Sequence, residues 1–206
     1  MVSKRTLKAQ TSKLKARVGL FGGTFNPIHI GHIKMAEAAR KQFELDKIYF
    51  IPNGIPPHKP NKGLLPAKLR YKLVEKGVSK LNKGTRDKGQ GTKNKPFGIL
   101  DLEIKSKKPS YTLDTIKKLR GRKYSLLIPH PSLLFFLIGQ DEFEKLHTWN
   151  KASELAKLVT FIVLPRSSRS SSSKTQNPKI KDLKWHLLKT KPIDISSTEI
   201  RKHLVF

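Results

Sequence analysis

Residues 22–32 read GGTFNPIHIGH: three glycines, the first two adjacent, one proline and two histidines three apart, with no carboxylate, lysine, arginine or cysteine among them. The run before it, Arg17–Phe21, is largely apolar and ends at Gly22-Gly23, which predicts a strand closed by a tight turn. After Pro27 the apolar residues Ile30, Ile33, Ala36, Ala39 and Phe43 recur at helical spacing, and Lys47–Ile51 reads as a second strand stopped by Pro52. Strand, glycine turn, helix, strand is a βαβ crossover, and that connection implies parallel pairing.

The rest of the chain continues the alternation. A proline-rich loop over 53–66 leads to a helix expected over Ala67–Ser79, then a strand over Phe97–Ile104 and a helix from Ser110 to Leu119. Leu133–Ile138 reads as a buried strand stopping at Gly139-Gln140-Asp141, Trp149 begins a helical stretch, and Leu158–Leu164 is β-rich. A serine-rich loop over 167–173 and a last helix after Ile193–Ile195 complete the pattern, with no internal repeat. The expected fold class is α/β, a doubly wound parallel sheet of the Rossmann-like kind. Residues 17–206 form one domain on this reading, preceded by a basic extension over 1–16 expected to be disordered.

Charge is the strongest compositional signal: 43 Lys and Arg stand against 15 Asp and Glu in 206 residues, a formal +28. Three segments carry most of it: 1–17 with six basic residues and no acid, 77–96 with six against Asp87, and 165–191 with eight against Asp182. They lack interleaved aromatics and basic-helix periodicity, so they read as solvated tail and loops, with non-specific nucleic-acid binding left open. The acid-free amino end also has the composition of a transit peptide, without its amphipathic repeat. No apolar run approaches the ~20 residues of a membrane span, and membrane association is not expected. The absence of cysteine excludes disulfides, thiolate metal sites and cysteine nucleophiles.

In an open parallel sheet ligands sit beyond the carboxyl ends of the strands, so Gly22–His32, Asn53–Lys59, Ser110–Asp114 and Gly139–Asp141 should converge on one rim. Gly22 and Gly23 let the backbone approach a ligand, and the N–H groups of Thr24 and Phe25 can face a phosphate oxygen at the helix start. His29 and His32, one turn apart, can reach the same anion. An ordinary turn with two surface histidines is the bland alternative, whereas a metal pair lacks a neighbouring third histidine or carboxylate. A second anion site is visible in ISSTEIR, residues 195–201: Ser196 and Glu199 match a capping box, and Ser197, Thr198 and Arg201 surround the helix start. A plain N-cap with a solvated Arg201 competes with that reading, but two such sites in one small α/β chain favour a polyphosphate ligand.

Together, GGTFNPIHIGH and ISSTEIR resemble the paired HxGH and ISSTxxR motifs of the nucleotidyltransferase superfamily. PNGIPPHK at 52–59, SYTLDT at 110–115 and GQDEFEKLHTW at 139–149 narrow the resemblance to the bacterial nicotinate-mononucleotide adenylyltransferase family, in order over about residues 17–204. The resemblance implies transfer of AMP from ATP to nicotinate mononucleotide in NAD biosynthesis, in a cytoplasmic enzyme, with Mg²⁺ carried by ATP and no metal held by the protein. It implies that Gly22, Gly23 and Thr24 line the ATP site, and that His29 and His32 hold and polarise the ATP phosphates as the catalytic pair. Ser197, Thr198 and Arg201 would take the β and γ groups, and the Thr24 and Phe25 backbone the mononucleotide phosphate. Tyr111 and Thr112 would receive the nicotinate carboxylate, Trp149 would stack on the pyridine, Asn53, His58 and Lys59 would close over the reactants, and Asp141 would face a ribose.

Bland roles compete here too: Trp149 as core, Tyr111 as a strand-end cover and Asp141 as an N-cap. The chain departs from the family after Arg166, where SSRSSSSK stands at the expected adenine cover, and residues 83–95 and 121–132 look like insertions. Nicotinamide mononucleotide as acceptor and a nucleic-acid-binding protein on the same fold are the rival functions, and homo-oligomers are compatible with either.

Overall fold

The computed structural model describes residues 15–56, 63–84, 95–106, 108–165, 175–191, 193 and 195–203. Most of the amino-terminal extension, the serine-rich loop, His58, Lys59 and Arg166 lie outside the described residues.

Six strands form one sheet in the order β3-β2-β1-β4-β5-β6, with β1 Ala16–Gly23, β2 Lys47–Pro52, β3 Phe97–Ile99, β4 Ser132–Gly139, β5 Thr160–Leu164 and β6 Trp185–Leu187. Every pairing is parallel. The helices are α1 Ile30–Gln42, α2 Ala67–Gly84, α3 Thr112–Leu119, α4 Gln140–Glu144, α5 Ala152–Leu158 and α6 Ser197–Lys202.

Alternation along the strands splits the core into two layers. Val18, Leu20, Phe136, Ile138, Phe161 and Val163 pack with Leu113, Ile116 and Leu119 of α3 and Leu155 of α5. On the opposite face Phe21, Phe50, Leu137 and Ile162 meet Met35, Ala36 and Ala39 of α1 and Val74, Val78 and Leu81 of α2. Each fully buried Leu, Ile or Phe contributes about 1.5–3 kcal/mol of apolar transfer, so the two layers fix which face each crossover helix covers.

All six strands point the same way, but strand order reverses between β1 and β4: β1, β2 and β3 are laid down toward one edge of the sheet and β4, β5 and β6 toward the other. A crevice therefore opens where these two neighbours end. Phe21 is level with Leu137 in their register, and two residues further each strand terminates in glycine, Gly23 and Gly139.

Several boundaries depart from the sequence expectation. The predicted strand over Phe97–Ile104 ends at Ile99, because Leu100 makes one last bond to the Phe50 carbonyl (2.9 Å) and the chain then turns, Lys105 N–H donating to the Asp101 carbonyl. Trp149 does not open a helix; it closes the 3-10 turn Leu146–Thr148, and α5 begins at Ala152. Helix α2 runs past Ser79 to Gly84. The stretch 121–132, read as an insertion, is anchored by buried Ile128 and by the Tyr49 hydroxyl donating to the Leu127 carbonyl at 3.2 Å.

Candidate active site

Two clefts open at the reversal point and share a floor of Gly22, Gly23, Thr24 and Gly139. The first is further lined by Asn53, Glu103, Tyr111, Thr112, Phe136 and Trp149. The second is lined by Phe25, Asn26, His32, Ser197, Thr198 and Arg201. Residues 22–24 thus present one backbone surface to both.

The turn after β1 has an unusual backbone. Phe25 lies at φ 45°, a left-handed conformation that a bulky side chain adopts only when its surroundings enforce it. Its ring is 3% exposed and wedged among Phe21 (5.4 Å between ring centres), Phe50 (5.8 Å) and the edge of His32 (5.1 Å). Asn26, also buried, clips the chain at 63–65 to this turn: its amide donates to the Gly63 carbonyl (2.9 Å) and its Oδ1 accepts from Leu65 N–H (2.9 Å).

His29 occupies the N-cap of α1 with extended backbone, so it stands at the helix start and not on a shared helical face with His32. Its N–H donates to His32 Nδ1 at 3.3 Å, which makes Nδ1 the acceptor and leaves the ring proton on Nε2. The two rings lie 3.8 Å apart, tilted by 43°. Burial lowers the His29 pKa, keeping it neutral beside its neighbour, and its Nδ1 is buried without a hydrogen-bond partner. His32 lines the second cleft, whereas His29 lines neither. Gly31 between them is required by packing: a Cβ there would come within 2.9 Å of His29 Nδ1 and 3.1 Å of Ile195 Cγ2.

The start of α6 docks directly on this turn. Arg201 donates to the Asn26 carbonyl at 2.6 Å and to Thr198 Oγ1 at 3.2 Å, and Ser197 Oγ donates to the Pro27 carbonyl at 2.9 Å. The capping box expected at Ser196 is present: Glu199 N–H donates to Ser196 Oγ (3.1 Å) and Ser196 N–H to Glu199 Oε2 (3.2 Å). His32 and Arg201, 169 positions apart by their residue numbers, therefore wall one cleft.

The first cleft is built for a planar, partly apolar guest. Trp149 packs edge-on against Phe136, with ring centres 6.3 Å apart, and Tyr111 is the N-cap of α3 with Thr112 its first residue. The unsatisfied N–H groups of that first turn and their dipole favour a negative group. Asp141, expected to face a ribose, is exposed in the first turn of α4, and its neighbour Glu142 lines the cleft instead.

Sequence reading missed three residues. Asn26 was hidden among apolar neighbours. Arg70 sits four residues before Val74 on the buried stripe of α2, and a cation on such a stripe was its available signal. Glu103 is 9% exposed and accepts a 2.7 Å hydrogen bond from Thr115 Oγ1, with no sequence pattern to announce it.

Burial pushes the Glu103 carboxyl from the ordinary 4.5 up to about 7, while the Thr115 hydrogen bond and the Lys118 charge pull the other way. A raised folded-state value means that stability is fully present below pH 4.5 and is lost as pH rises through about 7. Replacing Glu103 by Gln should remove that loss, which is on the order of 3 kcal/mol at about 1.4 kcal/mol per pH unit. Urea unfolding at pH 5 and pH 8 checks this: the wild type should weaken between the two by more than the Gln variant, and parallel behaviour contradicts it.

The chain is similar to known proteins in sequence and in fold. A family model described as cytidylyltransferase-like matches residues 20–203. A protein of Dehalococcoides mccartyi named "probable nicotinate-nucleotide adenylyltransferase" is 35% identical over 192 residues, covering 91% of this chain and 85% of its own. One of the same name from Caldicellulosiruptor saccharolyticus is 34% identical over 189 residues, covering 90% and 85%. Among solved structures, Plasmodium falciparum nicotinic acid mononucleotide adenylyltransferase complexed with NaAD shares the fold, with TM-score 0.67, 19% identity, and coverage of 91% of this chain and 83% of that one. With a matching model over most of its length, relatives above 30% identity and the segments 22–32 and 195–201 meeting at one crevice, the chain belongs to the cytidylyltransferase-like family and, within it, to the nicotinate-nucleotide adenylyltransferases.

Proposed function

We propose that the protein transfers the AMP group of ATP to nicotinate mononucleotide, giving nicotinate adenine dinucleotide and pyrophosphate. The observation that carries this reading is the shared floor: the aromatic cleft and the His32–Arg201 cleft meet over Gly22, Gly23 and Thr24. A mononucleotide with its ring beside Trp149 and its phosphate on that floor faces the α-phosphorus of a triphosphate gripped from the other side.

The attacking group is already a phosphate oxygen. It forms the new P–O bond as the α–β bridging bond breaks, pyrophosphate leaves with the electron pair, and no proton moves in the step. Neither a general base nor a covalent nucleophile is needed, only in-line placement and neutralisation of charge. On this reading His32, Arg201 and the first turn of α6 supply that neutralisation. His29 braces His32 and sets its tautomer. A carboxylate in GGTFNPIHIGH would repel both phosphates, which accounts for its absence from that stretch.

Among the described residues no cluster of three or more His, Asp or Glu is arranged to hold a metal. On our reading the divalent ion is Mg²⁺ brought in with ATP, where it would add positive charge to the transferred group. No helix among the described residues is long and apolar enough to cross a membrane. Residues 85–94 and 166–174, which carry part of the excess charge, lie outside the described residues, and non-specific nucleic-acid binding through them stays part of the proposal.

The start of α3 favours an acid over an amide on the pyridine ring, and a largely protonated Glu103 keeps a second negative charge away from it below about pH 7. Pyrophosphate release with ATP, Mg²⁺ and either mononucleotide tests the reading. The acid should be preferred by roughly tenfold in kcat/KM, equivalent to ~1.4 kcal/mol. Equal rates contradict the acid preference, and no release with either contradicts adenylyl transfer.

A further inference from the structure

Arg70 belongs to neither cleft wall, yet it joins the loops that build the site. It lies in the first turn of α2 at 0% exposure, and among the described residues no carboxylate pairs with it. Instead the guanidinium donates to carbonyls: Nε to Leu65 (2.9 Å), Nη1 to Thr24 and Asn53 (2.7 Å each), and Nη2 to Gly54 (2.8 Å), with Asn53 Oδ1 a longer fifth acceptor at 3.4 Å. Burial lowers its pKa, but a guanidinium stays charged throughout the physiological range.

The consequence follows from peptide geometry. In a planar trans peptide the C=O of one residue and the N–H of the next point in opposite directions. Neither the Thr24–Phe25 nor the Asn53–Gly54 bond is among the cis bonds, which are Asn26–Pro27 and His130–Pro131. With the Thr24 and Asn53 carbonyls held inward on Arg70, the N–H groups of Phe25 and Gly54 are turned away from the interior, toward the rim where Thr24 and Asn53 line the acceptor cleft.

We propose that Arg70 is a positioning residue for acceptor phosphate: from beneath the rim its planar fork fixes two peptide units so that their N–H groups receive the phosphate, and its unpaired charge lowers the cost of placing that dianion above it. The inference rests on the acceptor reading given above. It explains why a fully buried position on an apolar stripe holds arginine, since lysine carries the charge without the flat, five-donor fork.

The test compares a ligand with and without its phosphate. In Arg70→Lys and Arg70→Gln, NMR titration should show affinity for nicotinate mononucleotide falling by about 30-fold or more while affinity for nicotinate riboside changes by less than about threefold. Equal weakening of both ligands, or unchanged mononucleotide affinity, overturns the proposal. Should both variants fail to fold, the wild type decides: its Phe25 and Gly54 amide resonances should shift with the mononucleotide and stay in place with the riboside, and unshifted amides overturn the inference. Loss of the adenylyl-transfer reading would appear differently, as wild-type protein that binds the mononucleotide through these amides but releases no pyrophosphate.

Discussion

Replacing His32 by Ala is expected to lower kcat/KM for pyrophosphate release by about 10²- to 10³-fold, the usual effect of removing one preorganised donor from a charge-stabilising site. His32 lines the cleft proposed to hold the triphosphate, and its Nδ1 is occupied by the His29 N–H at 3.3 Å, so its Nε2 proton is the one presented. The ring is half-buried, tilted beside Phe21 and edge-on to Phe25, so its loss should cost stability only about 1 kcal/mol. A drop in activity with thermal unfolding within a few degrees of wild type supports the assignment. Unchanged turnover, or loss of activity only in step with loss of fold, contradicts it.

Gly54→Ala should produce the largest loss of stability. A Cβ at residue 54 would stand 2.3 Å from the backbone oxygen of Glu103 and 3.2 Å from its carbonyl carbon. No rotamer change relieves a clash with backbone, and the loop cannot easily retreat because Arg70 grips the Gly54 carbonyl at 2.8 Å. Overpacking of this kind costs 1–3 kcal/mol where side chains can yield, so about 3 kcal/mol or more is expected here. That corresponds to a fall in melting temperature of roughly 6–12 °C for a chain of this size. Calorimetry on the purified variant reads it directly, and a shift under about 2 °C would show that the two loops are not held in this contact.

The first crossover was legible because its signals are dense and local: an apolar strand, paired glycines, a helical stripe and a second apolar strand. The capping box at Ser196 was legible for the same reason, since its two partners are three residues apart. Where the expectation failed, burial ran against periodicity. In Asp101-Leu102-Glu103-Ile104 polar and apolar residues alternate as in a strand, but the chain turns there and Glu103 is the residue that goes inside. Edge strand β6 was missed because Trp185, His186 and Leu187 are only partly buried or exposed, so no alternation marks them.

Within the site, the motif residues were readable and their supports were not. His32 and Arg201 line one cleft, while His29 stands at the N-cap of α1 with its N–H on His32 Nδ1. Arg70, Asn26 and Glu103 act through carbonyls and buried hydrogen bonds to distant segments, contacts that only the folded chain brings together.

Adenylyl transfer as proposed requires the starts of α1 and α6 to meet over one triphosphate. A crystal structure with a non-hydrolysable ATP analogue tests this directly. Phosphate oxygens are expected within hydrogen-bond distance of both the His32 imidazole and the Arg201 guanidinium, above the Gly22–Thr24 backbone. A triphosphate bound against only one of these two side chains, or elsewhere on the sheet, would contradict it.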